Sequence, residues 1–213
     1  MSGGMFITLE GIEGAGKSTV VQWLGEWLRE CGHTVRVTRE PGGTALAEQV
    51  RRIVLERGRE QVSAEAETLL MFAARAIHLD NLIRPALAAG EWVVSDRFTD
   101  ATRAYQGAGR GVDGAWIEAI AARVHAGLAP DCTLLLDLPV SVGLARARAR
   151  RGEADRIEAE TEAFFERVRA GYLALEQREP ERIRRIDAAA PVAAVQAQVR
   201  AALAPWLTST GGA

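Results

Sequence analysis

Lysine is nearly missing from this chain: its 213 residues carry 25 arginines and a single lysine, Lys17. Compositional drift toward arginine accounts for most of that excess as solvated charge, which makes the one surviving lysine informative. Acidic and basic residues nearly balance, at 28 and 26, with a net charge of −2. That excludes the uniformly basic face on which nucleic-acid and anionic-membrane binders depend. The two cysteines, Cys31 and Cys132, have no CxxC spacing and no companion histidine cluster. Neither a disulfide framework nor a zinc site is implied, and both are expected as buried free thiols. No apolar run approaches about 18 residues, and Met1 to Met5 lacks the cationic start and apolar stretch of a signal peptide. The expectation is a cytoplasmic protein with no membrane and no nucleic-acid partner.

What is present is 48% hydrophobic residues, ordinary for a folded domain, and a length that suits one compact domain spanning 1–213. Met5 to Glu10 reads as a strand. Val20, Leu24, Trp27, Leu28 and Cys31 then recur at helical spacing behind a glycine-rich turn. Thr34 to Thr38, Trp92 to Ser95, Thr133 to Leu138 and, more weakly, Arg182 to Ile186 read as further strands. Helices are expected from about Ala45 to Leu55, from about Ala64 to Ala89 with a kink at Pro85, after Pro139, and at the C-terminus on a stripe of Val192, Val195, Val199, Leu203 and Trp206. Strands alternating with helices predict an α/β fold around a parallel sheet, with ligands at the carboxyl ends of the strands. The tail from about Thr208 to Ala213 reads as frayed.

Between the first strand and first helix, Gly11-Ile12-Glu13-Gly14-Ala15-Gly16-Lys17-Ser18 matches G-x-x-x-x-G-K-[ST], with Thr19 following. The glycines let backbone N–H groups turn in on phosphate oxygens, and the helix N-terminus adds its positive end. Lys17 reaches the β and γ phosphates, and the Ser18 hydroxyl serves Mg²⁺. Glu13 is less expected, because a carboxylate in an anion-binding loop is repelled by phosphate and must point elsewhere. A ligand hydroxyl or a metal-bound water is one partner for it; a solvated loop tip is the other possibility.

Such a loop serves motors, GTPases, ATPases and kinases alike. With no second lysine, the NKxD guanine reader of Ras-type GTPases is excluded. Asp96-Arg97 at a strand's carboxyl end could hold Mg²⁺ through water and grip a phosphoryl group, or could be a helix cap beside a solvated arginine. The run Arg146, Arg148, Arg150, Arg151, followed by Arg156, usually marks a solvated helix face. It also suits transfer to a phosphate acceptor. That acceptor, with its second pKa near 6, is already a dianion and needs neutralised repulsion rather than a base.

Together TLEGIEGAGKST, TREPGGT, FAARAIHL, SDRFTDATRAYQGAGRG and ARARARRGEADRIE resemble the bacterial thymidylate kinase family, over about Phe6 to Pro205. The resemblance implies a P-loop NTPase fold with a five-stranded parallel sheet and an arginine-rich lid near 146–158. It further implies transfer of the ATP γ-phosphate to dTMP with Mg²⁺, usually as a homodimer; the Leu69/Leu70/Phe72 region is a candidate dimer face. By the same resemblance Arg51 and Arg97 clamp the acceptor phosphate, Arg75 meets thymine O4, and Gln106 reads the ring beside Thr102. Tyr105 crowds out a ribose 2′-OH, and Glu40 and Glu13 lie near the sugar and the metal waters. Arg148, Arg150, Arg151 and Arg156 are the lid candidates for catalysis.

The family usually places Phe four residues before the arginine of this helix; here that place is Met71, with Phe72 three before, and either could stack on thymine. Such a cleft should reject cytosine strongly and uracil only weakly, one methyl being worth about 1–3 kcal/mol. Two rivals remain at the level of sequence: a kinase of another small metabolite, and a regulatory module whose loop binds nucleotide without turnover.

Overall fold

A computed structural model describes residues 4–56, 60–149 and 156–207. Its elements are β1 (Phe6–Glu10), α1 (Lys17–Glu30), β2 (Val35–Arg39), α2 (Ala45–Leu55), α3 (Ala64–His78), α4 (Arg84–Ala88), β3 (Trp92–Asp96), α5 (Thr99–Thr102), α6 (Gly114–His125), β4 (Cys132–Asp137), α7 (Val140–Arg148), α8 (Glu162–Arg178), β5 (Ile183–Asp187) and α9 (Val192–Leu207). The strands form one parallel five-stranded sheet in the order β2-β3-β1-β4-β5. Every residue of β1 is buried, as is nearly all of β3 and β4, whereas the edge strands β2 and β5 bury only their first and fourth residues. Continuous apolar runs therefore became the central strands because helices cover both faces. The chain leaves β1 toward β2 and β3 on one side and crosses to β4 and β5 on the other. The crevice of such a sheet opens at that reversal, just beyond the carboxyl end of β1.

The long helix expected over 64–89 is interrupted. α3 ends at His78, a π-helical turn occupies Leu79–Ile83, and α4 carries Pro85 in its first turn. Pro85 has no N–H to donate and its ring crowds the carbonyl four residues back, and the wider π turn accommodates both. The stretch after Pro139 is two helices, α7 and α8, and α5, a second π-helical turn (Arg103–Gly109) and α6 fill the region between β3 and β4 that carried no clear sequence periodicity. Cys132 is buried as expected but Cys31 is exposed at the end of α1. On α9, Val195, Val199 and Leu203 are buried at a spacing of four, while Val192 is 63% exposed and lies off that stripe. Among the described residues no helix is long and apolar enough to cross a membrane.

Candidate active site

The turn from β1 into α1 is built on left-handed glycines, with Gly14 at φ 74° and Gly16, the cap of α1, at φ 86°. A Cβ on Gly14 would collide with the Gly143 carbonyl of α7. Two small residues thus let α7 press directly on the loop. Ile12 and Ala15 turn their side chains into the core and leave backbone to line the turn. Lys17 is 7% exposed, and its ammonium donates to the carbonyls of Gly11 (3.1 Å) and Ile12 (2.9 Å). Burial, with Arg97 beside it, lowers its pKa, and the carboxylates of Glu13, Asp96 and Glu10 oppose the shift. Ser18 Oγ lies 3.4 Å from Asp96 Oδ2, and Asp96 Oδ1 is buried with no partner among the described residues. An orphaned carboxylate oxygen beside a hydroxyl suits Mg²⁺ carried on nucleotide phosphates, which takes one or two protein oxygens and keeps its waters. The described residues contain no group of three or more His, Cys, Asp or Glu that could hold a metal ion.

Arg97 stands at the end of β3 with φ 74°, a left-handed backbone rare for a side chain of this size. Its backbone N–H donates to Leu9, and its guanidinium spans the crevice. Nη1 donates to the Gly11 carbonyl and the Tyr172 hydroxyl, both at 3.0 Å; Nη2 donates to Glu13 Oε1 at 2.7 Å and to the Tyr105 hydroxyl at 2.9 Å. Glu13 therefore turns to Arg97 rather than to solvent. Beneath them, the buried Glu10 accepts from the Phe98 N–H (2.7 Å) and the Tyr172 hydroxyl (2.7 Å). Burial and the nearby Asp100 push the Glu10 carboxyl up to about 7.

The other half of the crevice is organised by α3, whose Glu67, Met71 and Arg75 lie one turn apart on one face. Arg75 donates from Nε to Glu40 Oε2 (2.7 Å) and from Nη2 to the Phe98 carbonyl and Thr102 Oγ1 (both 3.1 Å). Its remaining nitrogen, Nη1, is buried without a hydrogen-bond partner among the described residues. Glu40 also bonds His78 Nδ1 at 3.0 Å. Burial alone would raise the Glu40 pKa, but Arg75 and His78 together hold it below the ordinary carboxylate value. Arg51 donates to the Pro41 carbonyl (2.8 Å) and lines the same space. Met71, Thr102, Tyr105 and Gln106 complete a cleft of about 340 Å³ that is continuous with Lys17, Ser18 and Thr19. This is one crevice with a phosphate loop at one end and a recess lined by hydrogen-bonding side chains at the other.

A family model described as thymidylate kinase matches residues 9–199. The chain belongs to the thymidylate kinase family. It is 57% identical over 196 residues to a thymidylate kinase of Alcanivorax borkumensis, covering 92% of this chain and 94% of that one. It is 53% identical over 215 residues to that of Alkalilimnicola ehrlichii, covering 99% of each. Among solved structures, thymidylate kinase from Ehrlichia chaffeensis superposes with a TM-score of 0.77 at 33% identity, over 95% of this chain and 99% of that one.

Within this thymidylate kinase cleft the residues expected from sequence do not all stand where expected. Phe72 does not line it. Its ring packs with Val112, Ile117 and Ala121 and lies 4.9 Å from the Arg75 guanidinium, which has Phe98 on another side at 5.2 Å. Phe72 thus braces Arg75, and Met71 is the α3 residue facing the recess. Of the lid arginines, Arg148 is exposed at the end of α7, and Arg156 donates to the Val54 carbonyl and to Glu67, on the α3 face that also carries Met71 and Arg75. Arg150 and Arg151 lie outside the described residues. The cleft is lined instead by Arg146, which donates to the Ala188 carbonyl (2.8 Å). The available signal was Gly143: three residues earlier on α7, it marks the helix face pressed against the phosphate loop. Glu10 and Glu67 were also missed.

Proposed function

We propose that this cleft transfers the γ-phosphoryl group of ATP to the 5′-phosphate of dTMP, giving dTDP, with the named residues in the following roles. Family membership carries the activity; the observation that supports the base end is Arg75 Nη1, a buried cationic donor left without an acceptor among the described residues. Such an orphan costs about 1–3 kcal/mol unless a ligand acceptor meets it, and thymine O4 is one. The sugar lies along Tyr105, and the acceptor phosphate between Arg51 and Arg97. Lys17 and the loop amides hold the donor phosphates, and Arg146 is added to the lid arginines as a candidate for the transferred group. Because the acceptor is already a dianion, these cations lower phosphate–phosphate repulsion and no general base is required. Ser18 and Asp96 would hold Mg²⁺, which would supply positive charge against the charge that develops on the donor phosphates.

The protein acts as a cytoplasmic homodimer in this reading, through the exposed apolar side chains of α2 and α3: Leu46, Ile53 and Leu69. Phe72, buried behind Arg75, is not part of that face. A panel of nucleoside monophosphates with coupled ADP detection tests the assignment: dTMP fastest, dUMP slower but measurable, dCMP at background. dCMP turning over as fast as dTMP, or no dTMP turnover, would overturn it.

A further inference from the structure

Glu67 is 1% exposed, yet its carboxylate gathers three donors from three parts of the chain. Oε1 accepts from Gln106 Nε2 at 2.6 Å and from Arg110 Nε at 2.8 Å, and Oε2 accepts from Arg156 Nη2. Burial alone would raise its pKa; Arg110, Gln106 and Arg156 more than reverse that and hold it below the ordinary value. It is therefore an anion with acceptors only. An amide beside such a group has one permitted orientation. Gln106 must give Glu67 its NH₂, because turning it over would set oxygen against carboxylate oxygen in a buried site. Gln106 lines the cleft on the same side as Met71 and Arg75, and with one N–H given to Glu67 its amide oxygen is the end turned away from the carboxylate and left to accept from a ligand.

We propose that Glu67 is a positioning residue for pyrimidine choice, fixing which way the Gln106 amide faces so that its oxygen is the end turned to the ring N3 position. A thymine or uracil ring carries N3–H and donates to that oxygen. Cytosine presents a lone pair at N3 and meets it acceptor to acceptor. This filter is separate from Arg75, which reads the 4-substituent, and it rests on the thymidylate reading above.

The test is Glu67→Gln, nearly isosteric, whose neutral amide can face Gln106 with either end and so releases the lock. KM for dTMP and dUMP should rise together by about tenfold, with kcat and the KM for ATP changed less than about threefold. The dTMP-to-dCMP ratio of kcat/KM should fall by at least about tenfold. In a Gln106→Ala background the same substitution should add less than about twofold, since nothing remains to be oriented. Glu67→Asp, which keeps the charge and shortens the reach, is the second probe and should show the same split more weakly if Glu67→Gln fails to fold. Equal losses in the Gln106 and Gln106→Ala backgrounds, or a rise in the ATP KM matching that for dTMP, would overturn the inference and leave Glu67 a packing role. Wild-type protein with no dTMP turnover would instead sink the site reading, and this inference with it.

Discussion

Arg97 and Glu13 face each other across the crevice, with Nη2 and Oε1 2.7 Å apart and the Tyr105 hydroxyl bonded to both. The pair, with the Arg97 Nη1 bond to the Gly11 carbonyl beside it, ties the end of β3 to the phosphate loop, so that in the proposed reading acceptor clamp and donor loop are braced together. A phosphate dianion brings two charges and three acceptor oxygens, against the one charge of Glu13, and a guanidinium can serve it with its planar fork.

Arg97→Ala should accordingly cut kcat by about a hundredfold or more, with the KM for ATP changed less than about threefold. Arg97→Lys should recover little, because a point charge cannot reproduce four contacts made by two nitrogens. Steady-state kinetics with each substrate varied in turn checks this, and a kcat within threefold of wild type would remove Arg97 from the site.

Lys17 is the second test of charge shape. Its ammonium sits between two carbonyls, 3.1 and 2.9 Å away, in a buried turn. A guanidinium is broader and planar, so Lys17→Arg should lose at least about a hundredfold in turnover although the charge is kept. Near wild-type activity would mean that the one lysine among 26 basic residues is an accident of composition.

Met71 and Phe72 separate binding from stability. Met71→Ala removes the apolar surface facing the recess and should raise the KM for dTMP by about tenfold, with a melting temperature within a few degrees of wild type. Phe72→Leu should do the reverse. It opens space under Arg75 among Val112, Ile117 and Ala121, costing about 1–2 kcal/mol of stability, with a smaller effect on KM. Paired melting and KM measurements on both variants decide which residue is the platform.

The sequence carried the sheet and the phosphate loop plainly, since buried parallel strands leave unbroken apolar runs and a turn of left-handed glycines admits few alternatives. It could not separate Met71 from Phe72, because neighbouring residues on a helix differ by about 100° in direction and only tertiary packing says which faces the cleft. Glu67 was hidden for a different reason: in the first turn of α3, after the Ser63 cap, an acidic residue has the ordinary explanation of the helix dipole. Its three partners come from positions 106, 110 and 156, which no local pattern connects. The π turns at Leu79–Ile83 and Arg103–Gly109 break the helical period in the same region.

Ile53 and Leu46 lie two turns apart on α2, each more than half exposed, and Leu69 is exposed on the adjacent α3. If this face joins two copies, Ile53→Asp should shift the protein to a monomer in sedimentation velocity at micromolar concentration, since a charge buried at an apolar contact finds no partner. An unchanged sedimentation coefficient would place any dimer contact elsewhere.

Glu10 contributes a pH dependence of its own. Its carboxyl is moved from an ordinary 4.5 to about 7, by burial first and Asp100 second, while Arg97, Tyr172 and the Phe98 N–H pull the other way. Because the folded protein holds this proton more tightly than the unfolded chain, the contribution to stability is full below about pH 4.5. It declines above that and is lost as the pH rises through about 7. The shift corresponds to about 3 kcal/mol at most, as an order of magnitude. Glu40, Glu67 and Asp100 have lowered pKa values, so their contributions fail in the opposite direction, as the pH falls. Wild type alone therefore mixes the two trends. The difference between wild type and Glu10→Gln isolates Glu10: denaturant unfolding should show wild-type stability falling relative to the variant by about 1–3 kcal/mol between pH 5 and pH 8. A constant difference over that range would mean that Glu10 titrates as an ordinary carboxylate, and that the Glu10–Tyr172–Arg97 chain carries its negative charge throughout.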